Sequence, residues 1–221
     1  MTEAGFIADS LLAVGPTRDA NLQGAGTAEI ELRMLELRHR IKNIMGIVQS
    51  LVNQTLRDGV LIAEAREVLT GRLIAISHAV DLLLSGAWEA APLSSLIRSA
   101  MTMGTDRIRL DGPPVEVGPS SAMMLSILFH ELECNAIKYG SLSAERGSVE
   151  VSWAIEGDGD QRVALTWTET GGPKVAAPAQ EGFGSKLISR IASRFDGEAA
   201  PEFNPEGLCW RLSAPLASLR S

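Results

Sequence analysis

His39 lies in the run Glu36-Leu37-Arg38-His39-Arg40-Ile41-Lys42-Asn43. An unperturbed imidazole titrates near about 6.5, so it is largely neutral at pH 7. A neutral, exposed imidazole is a competent nucleophile toward a phosphoryl group. Its exposure depends on the helix that carries it. Leu37, Ile41, Ile44, Val48 and Leu51 follow steps of 4, 3, 4 and 3, the seam of a packed helix. At about 100° per residue His39 stands roughly 160° from Ile41, so it faces solvent when the seam faces inward. An exposed helical histidine alone is ordinary surface, and its chemistry must come from the rest of the chain.

A second constellation is His130-Glu131-Leu132-Glu133-Cys134-Asn135-Ala136-Ile137-Lys138-Tyr139-Gly140. Glu131, Asn135 and Lys138 are spaced i, i+4 and i+7 and share one helix face. An Asn carbonyl can ligate Mg2+, a hard cation that takes oxygen ligands. An ammonium can neutralise phosphate charge, and a carboxylate can accept a proton or orient a water. The same residues would also suit the solvated face of an amphipathic helix. Two glycine-bearing segments follow: Trp167-Thr168-Glu169-Thr170-Gly171-Gly172-Pro173, leaving a strand, and Gly182-Phe183-Gly184-Ser185, opening a helix. Glycines there let backbone N–H groups approach phosphates at the positive end of a helix, although each motif alone is a common turn. The Pro/Ala-rich stretch Lys174–Glu181 between them is placed to cover a nucleotide.

The elements that must position these groups are legible in outline. Residues 29–57 read as a helix ended by the turn signal Arg57-Asp58-Gly59. A second helix runs from Leu61 to Ser85, with Ile62, Leu69, Leu73, Ile76, Val80 and Leu83 on one face. The short loop makes the two helices antiparallel neighbours. One hairpin cannot bury both apolar faces, so a second copy completing a four-helix bundle is expected, the alternative being that the hairpin packs on the rest of its own chain. Beyond Pro92 the pattern predicts a helix over 93–103 and strands at 107–110 and 115–117 flanking a Gly-Pro-Pro turn. It continues with a helix over 119–139, a hairpin of strands 149–155 and 162–168, a helix over 182–195 and a last strand at 208–212. The expected fold class is α+β, an N-terminal antiparallel helical hairpin followed by an α/β sandwich, with a flexible leader at 1–28, the hairpin at 29–88 and the sandwich at 89–221.

Composition bounds the partners. The 221 residues are 45 % apolar and carry a net charge of −7, which argues against a nucleic-acid partner. The two cysteines, Cys134 and Cys209, form no C-x-x-C pair, so neither a disulfide framework nor a zinc site is expected, and Cys134 reads as an inert thiol. No run approaches the roughly 20 apolar residues that span a bilayer, and the N-terminus lacks a basic signal region. These features predict a soluble cytoplasmic chain without membrane contact. His78 reads as a surface histidine, and Trp153 and Trp210 as packing residues of strands.

Taken in order, the four chemical segments resemble the HWE family of sensor histidine kinases, within the larger set that shares the ATP-binding fold of gyrase and MutL. The family takes its name from a histidine, here His130, and a Trp-x-Glu, here Trp167 with Glu169. The resemblance runs from about residue 31 to the end and includes Gly71-Arg72-Leu73. It implies that His39 accepts the phosphoryl group from ATP and passes it to an Asp of a separate response-regulator receiver protein. Asn135 would hold Mg2+, Lys138 and Tyr139 would contact phosphates, and His130 would belong to the nucleotide-binding box. Glu131 would occupy the place of an acidic general base, and Glu169 would read the adenine amino group. Gly171, Gly172, Gly182 and Gly184 would shape the pocket and its lid. His39 is followed by Arg40 where many histidine kinases carry an acid, and Glu133-Cys134 stand where a small residue and Thr are usual. A separate sensor protein could supply the signal, or the chain could be a piece of a longer protein. A phosphotransferase adaptor that does not bind ATP is the alternative to a working kinase. A protein-binding regulator, of the kind found among anti-sigma factors, is disfavoured by the His39 hairpin.

Overall fold

The structure, a computed structural model, describes residues 19–56, 61–86, 88–174 and 183–220. The chain divides into two compact units, Met1–Gln49 and Ser50–Ser221.

In the first unit the described residues belong to one helix, α1 (Asp19–Thr55), which continues into the second unit. It starts inside the stretch expected to be a leader. Leu37 and Ile41 on the predicted seam are 51 % and 50 % exposed, and Met34, Leu35 and Met45 are exposed with them. Further along the seam Ile44 and Val48 are half-buried and Leu51 is buried.

In the second unit the elements after α1 are α2 (Ile62–Ser85), β1 (Ala91–Pro92), α3 (Leu93–Ala100), β2 (Ile108–Asp111) and β3 (Glu116–Val117). They are followed by α4 (Pro119–Lys138), β4 (Ser148–Glu156), β5 (Arg162–Thr170) and α5 (Phe183–Ser193), then β6 (Glu198–Asn204), β7 (Gly207–Pro215) and α6 (Leu216–Leu219). Among the described residues a five-stranded sheet has the order β2-β4-β5-β7-β6. Only the β2–β4 pairing in it is parallel. Strands β4 and β5 alternate as half-buried strands do: Val149, Val151 and Trp153 on one, and Val163, Leu165, Trp167 and Glu169 on the other, all point inward. Their register sets Trp167 opposite Val151 on one side and Trp210 on the other. Helix α4 begins at Pro119, where a missing N–H costs nothing, and buries Leu125, Leu128, Phe129 and Leu132. The α+β architecture expected from the sequence is the one observed.

Helix α2 differs from expectation in what it packs against. Its buried face is Ala65, Arg72, Ala75, Ile76, Ala79 and Leu83, and it lies on α3 and α4. Small residues let one helix approach another closely, and side-chain bonds then fix it. Ser126 Oγ donates to the Ala75 carbonyl at 2.6 Å, and His78 Nδ1 sits 2.9 Å from the Ser99 carbonyl. His78, expected to be free surface, is therefore half-buried and tied to α3. Ile62 and Leu73, expected on a buried face with Ile76 and Leu83, are exposed instead. The second compact unit includes α2 and begins within α1. Helix α2 is also long and apolar enough, by length and composition alone, to cross a membrane, contrary to the expectation that no stretch would be.

The strands at 108–111 and 116–117 do not pair with each other across the Gly-Pro-Pro turn: β3 pairs with β1, and β2 joins the main sheet. Strand β6 was not anticipated. Its sequence Glu-Ala-Ala-Pro-Glu-Phe-Asn has weak β-propensity, and it forms an edge strand, the position in a sheet where a proline such as Pro201 is tolerated. The turn expected at Arg57-Asp58-Gly59 and the stretch 175–182 lie outside the described residues.

Candidate functional site

The end of α4 and the end of β5 interlock. Tyr139 and Gly140 both donate their backbone N–H to the Asn135 carbonyl, at 2.8 and 3.1 Å, and the chain then turns through Ser141–Ser143. The Ser141 N–H donates to Glu169 Oε2 at 2.7 Å, and the Trp167 indole N–H donates to Glu169 Oε1 at 3.1 Å. Trp167 and Glu169 are two apart on β5, so both point to the same inner face. Each oxygen of this buried carboxylate thus has one donor, and an ionised carboxylate can accept more. The glycines here are required by space. A Cβ on Gly140 would collide with Glu169 Oε2, and one on Gly172 would collide with the Ser141 Cα. Gly171 has φ +72°, a conformation that L side chains rarely adopt. Amid these groups the Ser141 hydroxyl is buried with no hydrogen-bond partner among the described residues. Buried polar atoms are nearly always satisfied, so this hydroxyl fits a site that holds a polar ligand.

The side of α4 that bears Glu131 and Lys138 lies along α2. Arg72 reaches Glu131 through Nε to Oε1 at 2.7 Å and Nη2 to Oε2 at 2.9 Å, while its Nη1 donates to Thr55 Oγ1 at 2.9 Å. Lys138 Nζ stands 3.9 Å from Glu67. One position from each partner of the ion pair, Gly71 faces His130: a Cβ there would stand 2.6 Å from Nε2. On another side of α4, the fully buried Glu133 accepts the backbone N–H groups of Thr102, Met103 and Gly104 at 3.2, 2.9 and 3.0 Å.

The structure thus brings Asn135, Lys138, Tyr139, Glu169, Gly171 and Gly172 to one region at the joint of α4 and β5. Asn135 is half-buried, whereas Lys138 and Tyr139 are exposed. Gly184 lies in the first turn of α5, and Gly182 lies outside the described residues. His130 points at α2. In the first unit, His39 is exposed and its Nδ1 stands 3.5 Å from Asn43 Nδ2, one helical turn on.

Burial lowers the His130 pKa from the ordinary histidine value, against the raising influence of Glu131 and Glu133, so its imidazole is neutral. Burial, reinforced by the same two carboxylates, pushes the neighbouring Cys134 thiol up to about 11. Cys134 is therefore protonated and a poor nucleophile at neutral pH, as its sequence context suggested.

Sequence reasoning gave no role to Arg72, Glu133 or Ser141. The Gly71-Arg72-Leu73 run was visible but lacked a partner, because nothing in a one-dimensional pattern ties residue 72 to residue 131. Glu133 was noted only as a departure, and its three backbone donors come from a segment some thirty residues away.

Long helices followed by an α/β sandwich whose α4–β5 joint carries these groups define the fold of a histidine kinase core. The solved histidine kinase domain of the Erythrobacter litoralis blue-light activated histidine kinase shares it, with a TM-score of 0.59 and 18 % identity over 87 % of this chain and 98 % of that one. Residues 36–114 match the family described as HWE histidine kinase. Curated blue-light-activated histidine kinases of Brucella ovis and Brucella anthropi are each 35 % identical, over 93 % of this chain. The chain is thus similar to HWE histidine kinases over nearly its whole length, and it spans 43 % of the length of those relatives.

Proposed function

We propose that the chain is an ATP-dependent protein-histidine kinase that phosphorylates its own His39 and passes the phosphoryl group to an Asp of a separate receiver protein. The observation that carries the reading is the α4–β5 joint. There a buried carboxylate with accepting capacity, a buried unpartnered hydroxyl and an adjacent amide–amine face stand together, as a purine base with a polyphosphate requires. Glu169 accepts the adenine amino group, and the Ser141 hydroxyl gains a partner beside it. The Asn135 side-chain oxygen ligates Mg2+, and Lys138, Tyr139 and the glycines 171, 172, 182 and 184 surround the phosphates. Mg2+, when bound, neutralises charge developing on the phosphates, and a single protein oxygen suffices because Mg2+ usually keeps several waters and phosphate oxygens.

An imidazole nitrogen of His39 attacks the γ-phosphorus, the bond to the bridging oxygen breaks, and ADP leaves. A carboxylate oxygen of the receiver then takes the phosphoryl group from the phosphoramidate, which restores the imidazole. Residues 29–88 serve as the phosphotransfer segment and 89–221 as the catalytic segment. The open stripe of Leu37 and Ile41 supports pairing of two copies through α1, because an apolar helix face of this kind is stable only when covered. The reading places the chain in the cytoplasm, where ATP and receiver proteins are found.

Nucleotide binding separates this reading from the phosphotransferase adaptor. A fluorescent ATP analogue should bind with Mg2+ and be displaced by ATP but not GTP. Glu169→Ala should abolish that binding. No binding by the unaltered protein would leave the adaptor as the better account.

A further inference from the structure

Arg72 and Glu131 form a bidentate pair between α2 and α4, in which the Arg72 side chain is 0 % and the Glu131 side chain 10 % exposed. The third guanidinium contact is Thr55 Oγ1, whose own hydroxyl donates to the Leu51 carbonyl at 2.7 Å. The residues just before each partner are matched as well. Gly71 has no side chain, so the His130 ring fits against it, and any Cβ there would force that ring to shift. Gly71-Arg72 on one helix therefore holds His130-Glu131 on the other, and the Lys138–Glu67 contact continues the register along the same side. Asn135 is one helical turn from Glu131 on the held side of α4.

We infer that Arg72 is a positioning residue of the kinase reaction, and that Glu131 acts through Arg72 as the anchor of the Asn135–Lys138 face, not as the proton acceptor of His39. The inference rests on the kinase reading. Both Glu131 oxygens accept from one buried guanidinium, which commits the carboxylate to α2 and holds it away from solvent. The planar fork also fixes orientation in a way a point charge cannot. Displacing a phosphate-binding face by about 1 Å can cost roughly 100-fold in rate, so an anchor of this kind has kinetic consequences.

The test is a cycle of Arg72→Met, Glu131→Met and the double variant on the full chain, with Arg72→Lys and Gly71→Ala beside it. Four quantities are read: the rate of His39 labelling, KM for ATP, affinity for a fluorescent ATP analogue, and melting temperature. Each single Met variant leaves one buried charge without its partner, and the double removes both. The expected result is that both single variants lower the labelling rate about 100-fold and raise KM, that the double recovers much of both losses, and that Arg72→Lys falls between. Gly71→Ala, which keeps both charges, should shift KM and rate in the same direction. A double variant as slow as Glu131→Met, with KM and analogue affinity unchanged, would make Glu131 the base and overturn the inference. Melting shifts without change in rate or KM would make the pair structural only and would also overturn it. If the unaltered protein takes no label, the kinase reading fails on its own. Analogue affinity then decides the clasp: effects that add independently across the cycle overturn it, and mutual compensation sustains it.

Discussion

The indole N–H of Trp167 donates to the carboxylate of Glu169, two residues further along the same strand, and both side chains are buried. The tryptophan thereby holds the acid that faces the α4 terminus. Trp167→Phe removes a hydrogen bond to a charged group, a loss of about 1.5–3 kcal/mol. We expect a lower melting temperature and weaker binding of a fluorescent ATP analogue, measured by calorimetry and titration. Unchanged nucleotide affinity would show that the pair is architectural only.

Gly140 and Gly46 make a matched comparison. At Gly140 a Cβ would collide with Glu169 Oε2, whereas at Gly46, in α1, nothing lies within 4 Å. Gly140→Ala should therefore disrupt the α4–β5 joint and nucleotide binding. Gly46→Ala should raise the stability of α1 by roughly 0.5–1 kcal/mol through reduced backbone freedom in the unfolded chain. Denaturant titration of both variants checks the pair.

Glu133 satisfies three consecutive backbone N–H groups from full burial. Glu133→Gln turns an amide NH2 toward those donors and forfeits charge-assisted bonds, at a cost on the order of 2–3 kcal/mol. The 102–104 segment should lose protection in hydrogen exchange while the β5–β7 strands keep theirs.

Two pH effects of opposite sign follow from the His130–Cys134 neighbourhood. The lowered His130 pKa means that the folded state disfavours the proton; the resulting stability is present above the ordinary histidine pKa and is lost as pH falls through the folded value. The raised Cys134 pKa contributes stability below 9.0, which is lost as pH rises toward about 11. Denaturation midpoints should therefore decline below about pH 6, a decline that His130→Asn reduces. Iodoacetamide should modify Cys134 slowly at neutral pH in the folded protein and rapidly once it is unfolded, as read by peptide mass spectrometry.

Local periodicity made α2, α4, β4 and β5 legible, and the ordered motifs made the α4–β5 joint legible, because each is written within a short stretch of chain. What escaped was set by contacts distant in sequence. Arg72 gains its meaning only from Glu131, and Glu133 only from Thr102–Gly104. The apolar pattern of α2 could not say which of its faces would meet α4, since alanines and a glycine, not the larger Ile62 and Leu73, turned out to line the contact. Strand β6 depends on its β7 partner for nearly all its regularity, having little strand preference of its own.

In the proposed reaction His39 takes a phosphoryl group from ATP held at the α4–β5 joint. Incubation with γ-labelled ATP and Mg2+, comparing the unaltered protein with His39→Ala and Asn135→Ala, tests it most directly. We expect acid-labile, base-stable label on the unaltered protein and none on either variant. Label that persists in His39→Ala, or its absence from an unaltered protein that binds no ATP, would rule out phosphoryl transfer from ATP to His39.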